Sequence, residues 1–179
     1  MVSNVVIRPA ELADADGIAA VHVLSWRAAY RSLLPQHVLE GLSVERRAVN
    51  WREILRSPDG STLVGVDAAS GRVIGFVNVG PTRDADAAKD VGELRAIYVL
   101  EDWWGTGTGT GRRLHDAALH VFSAEFTQAT VWVLDANERA RRFYTRRGWT
   151  PDGATKTEDR GQMVLDEVRY RRSLPADAD

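Results

Sequence analysis

Residues 103–114 read WWGTGTGTGRRL, with glycine and threonine alternating ahead of two arginines. Glycine gives up more backbone freedom on folding than any other residue, so such a run points to a task that bare backbone does best. Binding an anion is one. The first N–H groups of a helix have no intrahelical acceptor, and the helix dipole favours negative charge beside them. Amides freed of side chains can also converge on one anion as a concave nest. Threonine hydroxyls between the glycines add donors. The chemistry that this stretch fits is phosphate binding. Two common phosphate loops fail on spacing. A dinucleotide fingerprint needs a third glycine where Thr110 or Arg112 stands, and a P-loop needs a lysine that the stretch lacks.

Other chemistries are excluded or weakly supported. The chain has no cysteine, which removes disulfides, thiol nucleophiles and thiolate metal sites together. His115 and His120 do not share a helix face, so they form no metal pair, and no metal site is expected. No G-x-S-x-G elbow is present. His22, Trp26 and Tyr30 recur every four residues and share one face, which suits either an aromatic acceptor pocket or a piece of core. Arginines 139, 141, 142, 146 and 147 read most simply as a solvated helix face. The formal charge of −2 supports no nucleic-acid partner. With 44% apolar and 27% charged residues the composition is that of a soluble globular protein. No apolar run approaches the roughly 18 residues of a membrane span, and the start lacks a signal-peptide layout. We therefore expect a cytoplasmic protein without membrane contact. Lysine occurs only as Lys89 and Lys156 among the 23 basic residues.

The elements that must position the glycine stretch can be read around it. NVVIRPA is a strand stopped by Pro9. ELADADGIAAVHVLSWRAAYRSLLP is a helix stopped by Pro35, and a second helical stretch runs to Pro58 with a break near Gly41 and Ser43. STLVGVDAASGRVIGFVNVG is a hairpin, and VGELRAIYVL a further strand. Behind the glycines, Leu114, Ala117, Ala118, Val121 and Phe122 mark a helix with one buried face. ATVWVLDA is a strand covered on both sides, NERARRFYTRRG a short helix with Asn137 as cap, and QMVLDEVRYRRSL a last strand. The reading is an α/β (α+β) fold: a mixed, mostly antiparallel sheet with helices on both faces. Residues 1–174 form a single domain, and residues 175–179 a frayed tail.

IYVLEDWWGTGTGTGRRLHDAAL resembles the coenzyme A-binding segment of the GNAT (GCN5-related) N-acetyltransferases, whose motif is Gln/Arg-x-x-Gly-x-Gly/Ala after a strand. VWVLDANERARRFYTRRGW is similar to the family's next strand and helix, and IRPAELADADGIAAVHVLSWRAAYRSLLP to one subgroup's opening. The likeness covers nearly the whole chain in the family's order. It departs at Trp104, which stands at the Gln/Arg position, and in one Gly-Thr unit too many. Anchored on Leu114 as the helix's first buried residue, the cradle is Thr106, Gly107, Thr108, Gly109, Thr110 and Gly111, with Gly105–Thr106 as a local bulge.

The resemblance implies an acetyl-CoA-dependent N-acetyltransferase that moves the acetyl group to a primary amine by direct attack. The acceptor would be a small molecule or a peptide. Pantetheine would pair along Ile97, Tyr98 and Val99 like an added strand. Tyr144 matches the tyrosine that protonates the departing thiolate; a phenol's pKa of roughly 10 suits that task. Asn137 matches a cofactor-contacting asparagine, or is simply a helix cap. Glu93 is the best candidate for the general base, or else pairs with Arg95 two residues on. Trp26 and Tyr30 would line the acceptor pocket. Homodimers are common in the family. The competing reading is a non-catalytic acyl-CoA-sensing or interaction domain that keeps the fold.

Overall fold

The computed structural model describes residues 4–159, 161 and 163–174; the tail expected at residues 175–179 lies outside them. Five helices and seven strands follow one another: β1 (Val5–Pro9), α1 (Ala15–Ala29), α2 (Gln36–Glu40), α3 (Val44–Arg56), β2 (Ser61–Asp67), β3 (Val73–Pro81), β4 (Val91–Val99), α4 (Thr110–Ser123), β5 (Gln128–Leu134), α5 (Glu138–Thr145), β6 (Thr150–Asp159) and β7 (Val164–Ser173). The strands form one sheet in the order β1-β2-β3-β4-β5-β7-β6, antiparallel except where β4 meets β5.

Helices cover both faces. On one face α1 and α3 lay Ile18, Val21, Ala48 and Trp51 against Val64, Ile74 and Phe76. On the other, α4 and α5 lay Leu114, Ala118, Phe122 and Tyr144 against Val77, Leu94, Val131 and Val133. Strand β3, between them, is buried over its first eight residues. That explains its apolar run, broken only by the buried, hydrogen-bonded Asn78, since a strand covered on both sides has no solvent side to alternate with. Gly92 permits α4 a close approach: a Cβ there would lie 2.5 Å from the Phe122 ring.

The break expected near Gly41 and Ser43 separates α2 from α3, and the Ser43 hydroxyl accepts the Arg46 N–H to cap α3. One strand went unread. The TPDGATKTED stretch forms β6, an edge strand carrying Pro151 and Gly153 and exposed over most of its length. Edge strands need little apolar surface, so periodicity gave no sign of it.

Two irregularities shape the middle of the sheet. The parallel β4–β5 pairing lasts only from Val91–Gln128 to Glu93–Thr130, after which the strands have no ladder between them. Opposite β3, the register of β4 skips one residue between Leu94 and Ala96, which makes Arg95 a bulge. The sheet thus opens into a gap between the C-terminal halves of β4 and β5.

Candidate active site

A cavity of about 1360 Å³ fills this gap. Its walls bring together nearly all the residues expected from the sequence: Glu93, Ile97, Tyr98 and Val99 of β4, the glycine loop, Asn137 and Tyr144 of α5, and Trp26 and Tyr30 at the end of α1. Thr108 is the exception and does not line it.

The glycine loop is shaped by handedness. Gly105, Gly107 and Gly109 have φ of +68°, +81° and +62°, in the left-handed region that disfavours every side chain. A Cβ at Gly105 or Gly107 would meet nothing within 4 Å, so these two glycines are chosen for their backbone angle and leave open space above them. Helix α4 begins at Thr110 with Gly109 as its cap residue, and its first bond runs from the Arg113 N–H to the Gly109 carbonyl at 2.9 Å. The Thr110, Gly111 and Arg112 amides therefore have no acceptor within the helix. An open loop of three left-handed glycines leading into unpaired amides fits a diphosphate, which passes the test that the family's cofactor sets.

The loop differs from expectation in register. Gly105 shares the angle of Gly107 and Gly109, so Gly105–Thr106 is part of the same run and not a separate bulge. Gly111 lies inside the helix. Anchoring on Leu114 missed this because Thr110, only 2% exposed, is itself a buried position one turn earlier. The threonines tie the loop internally: Thr108 Oγ1 lies 3.0 Å from both Thr106 Oγ1 and Thr110 Oγ1.

Strand β4 presents backbone to the gap. The Leu100 N–H donates to the Ile74 carbonyl at 2.9 Å, and in an antiparallel ladder alternate residues turn the same way. Tyr98 thus spends its main-chain groups on β3, whereas those of Ile97 and Val99 point into the gap. The Val99 carbonyl is already used, accepting from Trp104 Nε1 at 2.7 Å and Ser25 Oγ at 3.0 Å. Free there are the Ile97 N–H and C=O and the Val99 N–H. Trp104 also lies under the Arg139 guanidinium, whose carbon is 3.4 Å from the ring centroid. The cation missing from position 104 is present one layer above it. Arg139 is exposed and stacks on Trp104 at the same time, while Arg147 is half-buried, 4.1 Å from the centre of the Phe143 ring.

Three phenols, Tyr30, Tyr98 and Tyr144, line the gap. Tyr144 is 5% exposed, and burial, with the neighbouring Tyr30 second, pushes its pKa well above the ordinary value. Burial likewise raises Tyr98 and Tyr30. The Tyr30 hydroxyl lies against both the Tyr98 hydroxyl and the Asn137 side chain, and these two contacts partly offset its burial. Asn137 does act as a cap: its Oδ1 accepts the Ala140 N–H at 3.1 Å. The His22 ring stacks on Tyr98 at 5.1 Å and accepts from Trp51 Nε1 through Nδ1, so the His22–Trp26–Tyr30 face is cavity wall at one end and core at the other.

Where the β4–β5 ladder ends, Glu93 is 3% exposed and bound by Arg83, whose Nη2, Nε and backbone N–H donate at 2.6, 3.0 and 3.1 Å. The Glu93–Arg95 pair expected from alternation does not form. The bulge turns Arg95 aside, and it donates to the Asp59 and Pro81 carbonyls. Asp84 accepts from Trp132 Nε1 and pairs with Arg169, which also holds Asp86 and Asp152. Lys156 pairs with Glu167. Arg83, Lys156 and Glu167 are not singled out as site residues by the sequence. Only the scarcity of lysine set any of them apart. His115, the other histidine weighed, is structural: burial lowers its pKa, and the neutral ring accepts from Trp149 Nε1 at 2.9 Å.

Among the described residues no helix is long and apolar enough to cross a membrane. The Acetyltransferase (GNAT) family model matches residues 24–149. An uncharacterised N-acetyltransferase of Bacillus subtilis, YuaI, is 35% identical over 136 residues, covering 74% of this chain and 73% of its own. Among solved structures, a GCN5-related N-acetyltransferase from Rhodopseudomonas palustris superposes with a TM-score of 0.73 at 22% identity, over 97% of this chain and 98% of the other. The PaiA N-acetyltransferase of Thermoplasma acidophilum, solved in complex with coenzyme A, gives 0.71 at 16% identity, over 95% and 99%. A left-handed glycine loop, a splayed β4–β5 pair and these matches agree: the chain belongs to the GNAT acetyltransferase family.

Proposed function

We propose that this acetyltransferase moves the acetyl group of acetyl-CoA straight onto a primary amine held in the cavity near Glu93, with no acyl-enzyme stage. The observation that carries the proposal is the gap itself: unpaired β4 backbone, the glycine loop and a buried phenol line one continuous space. The donor, when bound, supplies an activated thioester. The protein supplies the rest. The Thr106–Gly111 loop and α4's first-turn amides hold the diphosphate, aided by the Asn137 amide and the Arg139 cation. The Ile97 N–H and C=O and the Val99 N–H align the pantetheine arm, with Tyr98 fixing the strand through its stack on His22.

Tyr144 is kept protonated by burial, so at neutral pH it is a donor and not a base. A protonated phenol can give its proton to a thiolate, although the raised pKa makes it a weaker acid than an exposed tyrosine. Trp26 and Tyr30 wall the acceptor. For the base we propose Glu93, reached when Arg83, whose side chain is 66% exposed, swings out to solvent. The acceptor is a small-molecule or peptide amine. Since the donor is an intracellular metabolite, we place the protein in the cytoplasm; a homodimer is proposed from the family alone, and sedimentation tests it.

The test is release of coenzyme A thiol from acetyl-CoA across a panel of primary amines, with Glu93→Gln and Tyr144→Phe beside the wild type. Turnover with at least one amine, lost in Tyr144→Phe while calorimetry still detects coenzyme A binding, supports the assignment. Binding without turnover on any amine sinks it and leaves the acyl-CoA sensor.

A further inference from the structure

We infer that Lys156 is itself an acceptor, and that the protein acetylates this lysine in its own cavity when no other amine is supplied. The inference rests on the acetyl transfer proposed above and adds to it a modification site on the chain. Arginine stays protonated and cannot act as a nucleophile. With 23 basic residues and lysine only at 89 and 156, almost every cation of this chain is therefore inert toward a thioester. Among the described residues, Lys156 is the one lysine that lines the cavity. Lys89 sits exposed on the loop between β3 and β4, away from it.

The setting of Lys156 is that of a bound substrate amine. It stands on the edge strand β6 directly across from Glu167 on β7. Its Nζ is 3.2 Å from Glu167 Oε2 and 4.4 Å over the centre of the Trp132 ring. A carboxylate on one side and an aromatic face on the other recognise an alkylammonium ion, whether it arrives on a substrate or on the protein's own stem. The side chain is 42% exposed, so the four-carbon stem can move. The amine lines the same cavity as Tyr30 and as Tyr144, the proposed proton donor.

The step balances with acetyl-CoA as the only co-reactant. Lys156 passes its ammonium proton to Glu167 and on to solvent, then its nitrogen attacks the thioester carbonyl carbon. The N–C bond forms, the C–S bond breaks, and the nitrogen loses a second proton to solvent. Tyr144 protonates the departing sulfur and is reprotonated from solvent. The products are an acetyl-lysine, coenzyme A thiol and one proton. The modification removes the Lys156 charge and with it the attraction to Glu167 and to the Trp132 face. It also takes up space in the part of the cavity that Lys156 lines, so acetylated protein should turn over an added amine more slowly.

The experiment is to incubate the native protein with acetyl-CoA alone and map both lysines by mass spectrometry over time, with urea-unfolded protein in parallel. We expect native protein to gain an acetyl group at Lys156 more than about tenfold faster than at Lys89, a lower bound for positioned proton transfer. The rate should not depend on protein concentration, and the preference should vanish on unfolding. Equal labelling of the two lysines in native protein overturns the inference. So does a rate that rises with protein concentration, or an unlabelled Lys156 in protein that acetylates an added amine; each of these leaves the enzymatic reading standing. Protein that neither binds coenzyme A in calorimetry nor releases thiol with any amine overturns both.

Discussion

Alanine at Gly109 and alanine at Gly111 should act in opposite directions, although the two glycines are a single residue apart. Gly109 has φ +62° and ψ +23°, and its would-be Cβ meets nothing nearer than Arg112 Nη2 at 3.6 Å. The cost of alanine there is one of handedness and not of space: about 1–2 kcal/mol for an L-residue kept left-handed. If the loop holds its shape, the protein bears that cost as stability, a fall in Tm of about 2–8 °C at about 2–4 °C per kcal/mol for a chain of this size. If the loop relaxes to negative φ, the Thr110 amide turns away and the same energy appears as about 5–30-fold weaker coenzyme A binding. Gly111 lies in the first turn of α4, and a methyl there meets Phe143 at 3.7 Å and Val99 at 3.8 Å, ordinary contacts. Alanine at 111 removes glycine's helix penalty, worth up to about 0.5–1 kcal/mol, and should raise Tm. Scanning calorimetry and titration calorimetry with coenzyme A on both variants read all of these. If Gly109→Ala matched wild type in both measurements, or Gly111→Ala were the less stable of the two, the handed-loop account would be wrong.

Tyr144→Phe should lower kcat by about 10²–10⁴ while leaving coenzyme A affinity in place. Because burial raises the Tyr144 pKa, the phenol keeps its proton above the ordinary value, and kcat should show no fall from loss of this acid between about pH 7 and 10. Arg169→Met should leave Asp84 and Asp152, each with a side chain 16% exposed, without their shared cation. Breaking a buried pair costs about 3–5 kcal/mol, which a urea melt would register as a lower midpoint. Asp14, held below the usual carboxylate range chiefly by its hydrogen bond from Arg8, binds its proton less tightly folded than unfolded. Its contribution is therefore complete above about pH 4 and is lost as pH falls, and Arg8→Met should flatten the acid limb of the stability profile.

How much of this the sequence carried depends on whether a feature is local. The glycine loop, the α4 stripe and the Asn137 cap each depend on residues within a turn or two of one another, and they were legible. Tyr144 was legible only through the family likeness, since Ala140, Phe143 and Tyr144 by themselves mark nothing beyond a buried helix face. What stayed hidden depended on register between distant segments. Glu93 and Arg95 share a face in a regular strand, and only the mismatch of β3 against β4 at Asn78–Val79 shows that they do not. Arg83, ten residues upstream of Glu93, became its partner through a loop with no periodicity to read. The pair of Lys156 with Glu167 needs the β6–β7 register, and β6 itself carried no apolar signal.

The gap explains why these features belong together. A sheet interior rarely leaves backbone unpaired, because each buried N–H or C=O without a partner costs free energy. Here the β4–β5 ladder stops at Glu93–Thr130 and still leaves Ile97 and Val99 groups facing open space. The chain already satisfies one of them, turning Trp104 back so that its indole N–H covers the Val99 carbonyl, with Arg139 closing over the indole. Trp104 is thereby a strap between the end of β4 and helix α5, at the position where the family motif has a polar side chain. Removing it should leave the Val99 carbonyl with Ser25 Oγ alone and free the Arg139 cation. Trp104→Arg should therefore restore a direct polar contact to the diphosphate yet loosen the strand end, so coenzyme A affinity and Tm should move in opposite directions. If both rose, the strap would have no structural role, and the Val99–Trp104 bond would be incidental to the fold.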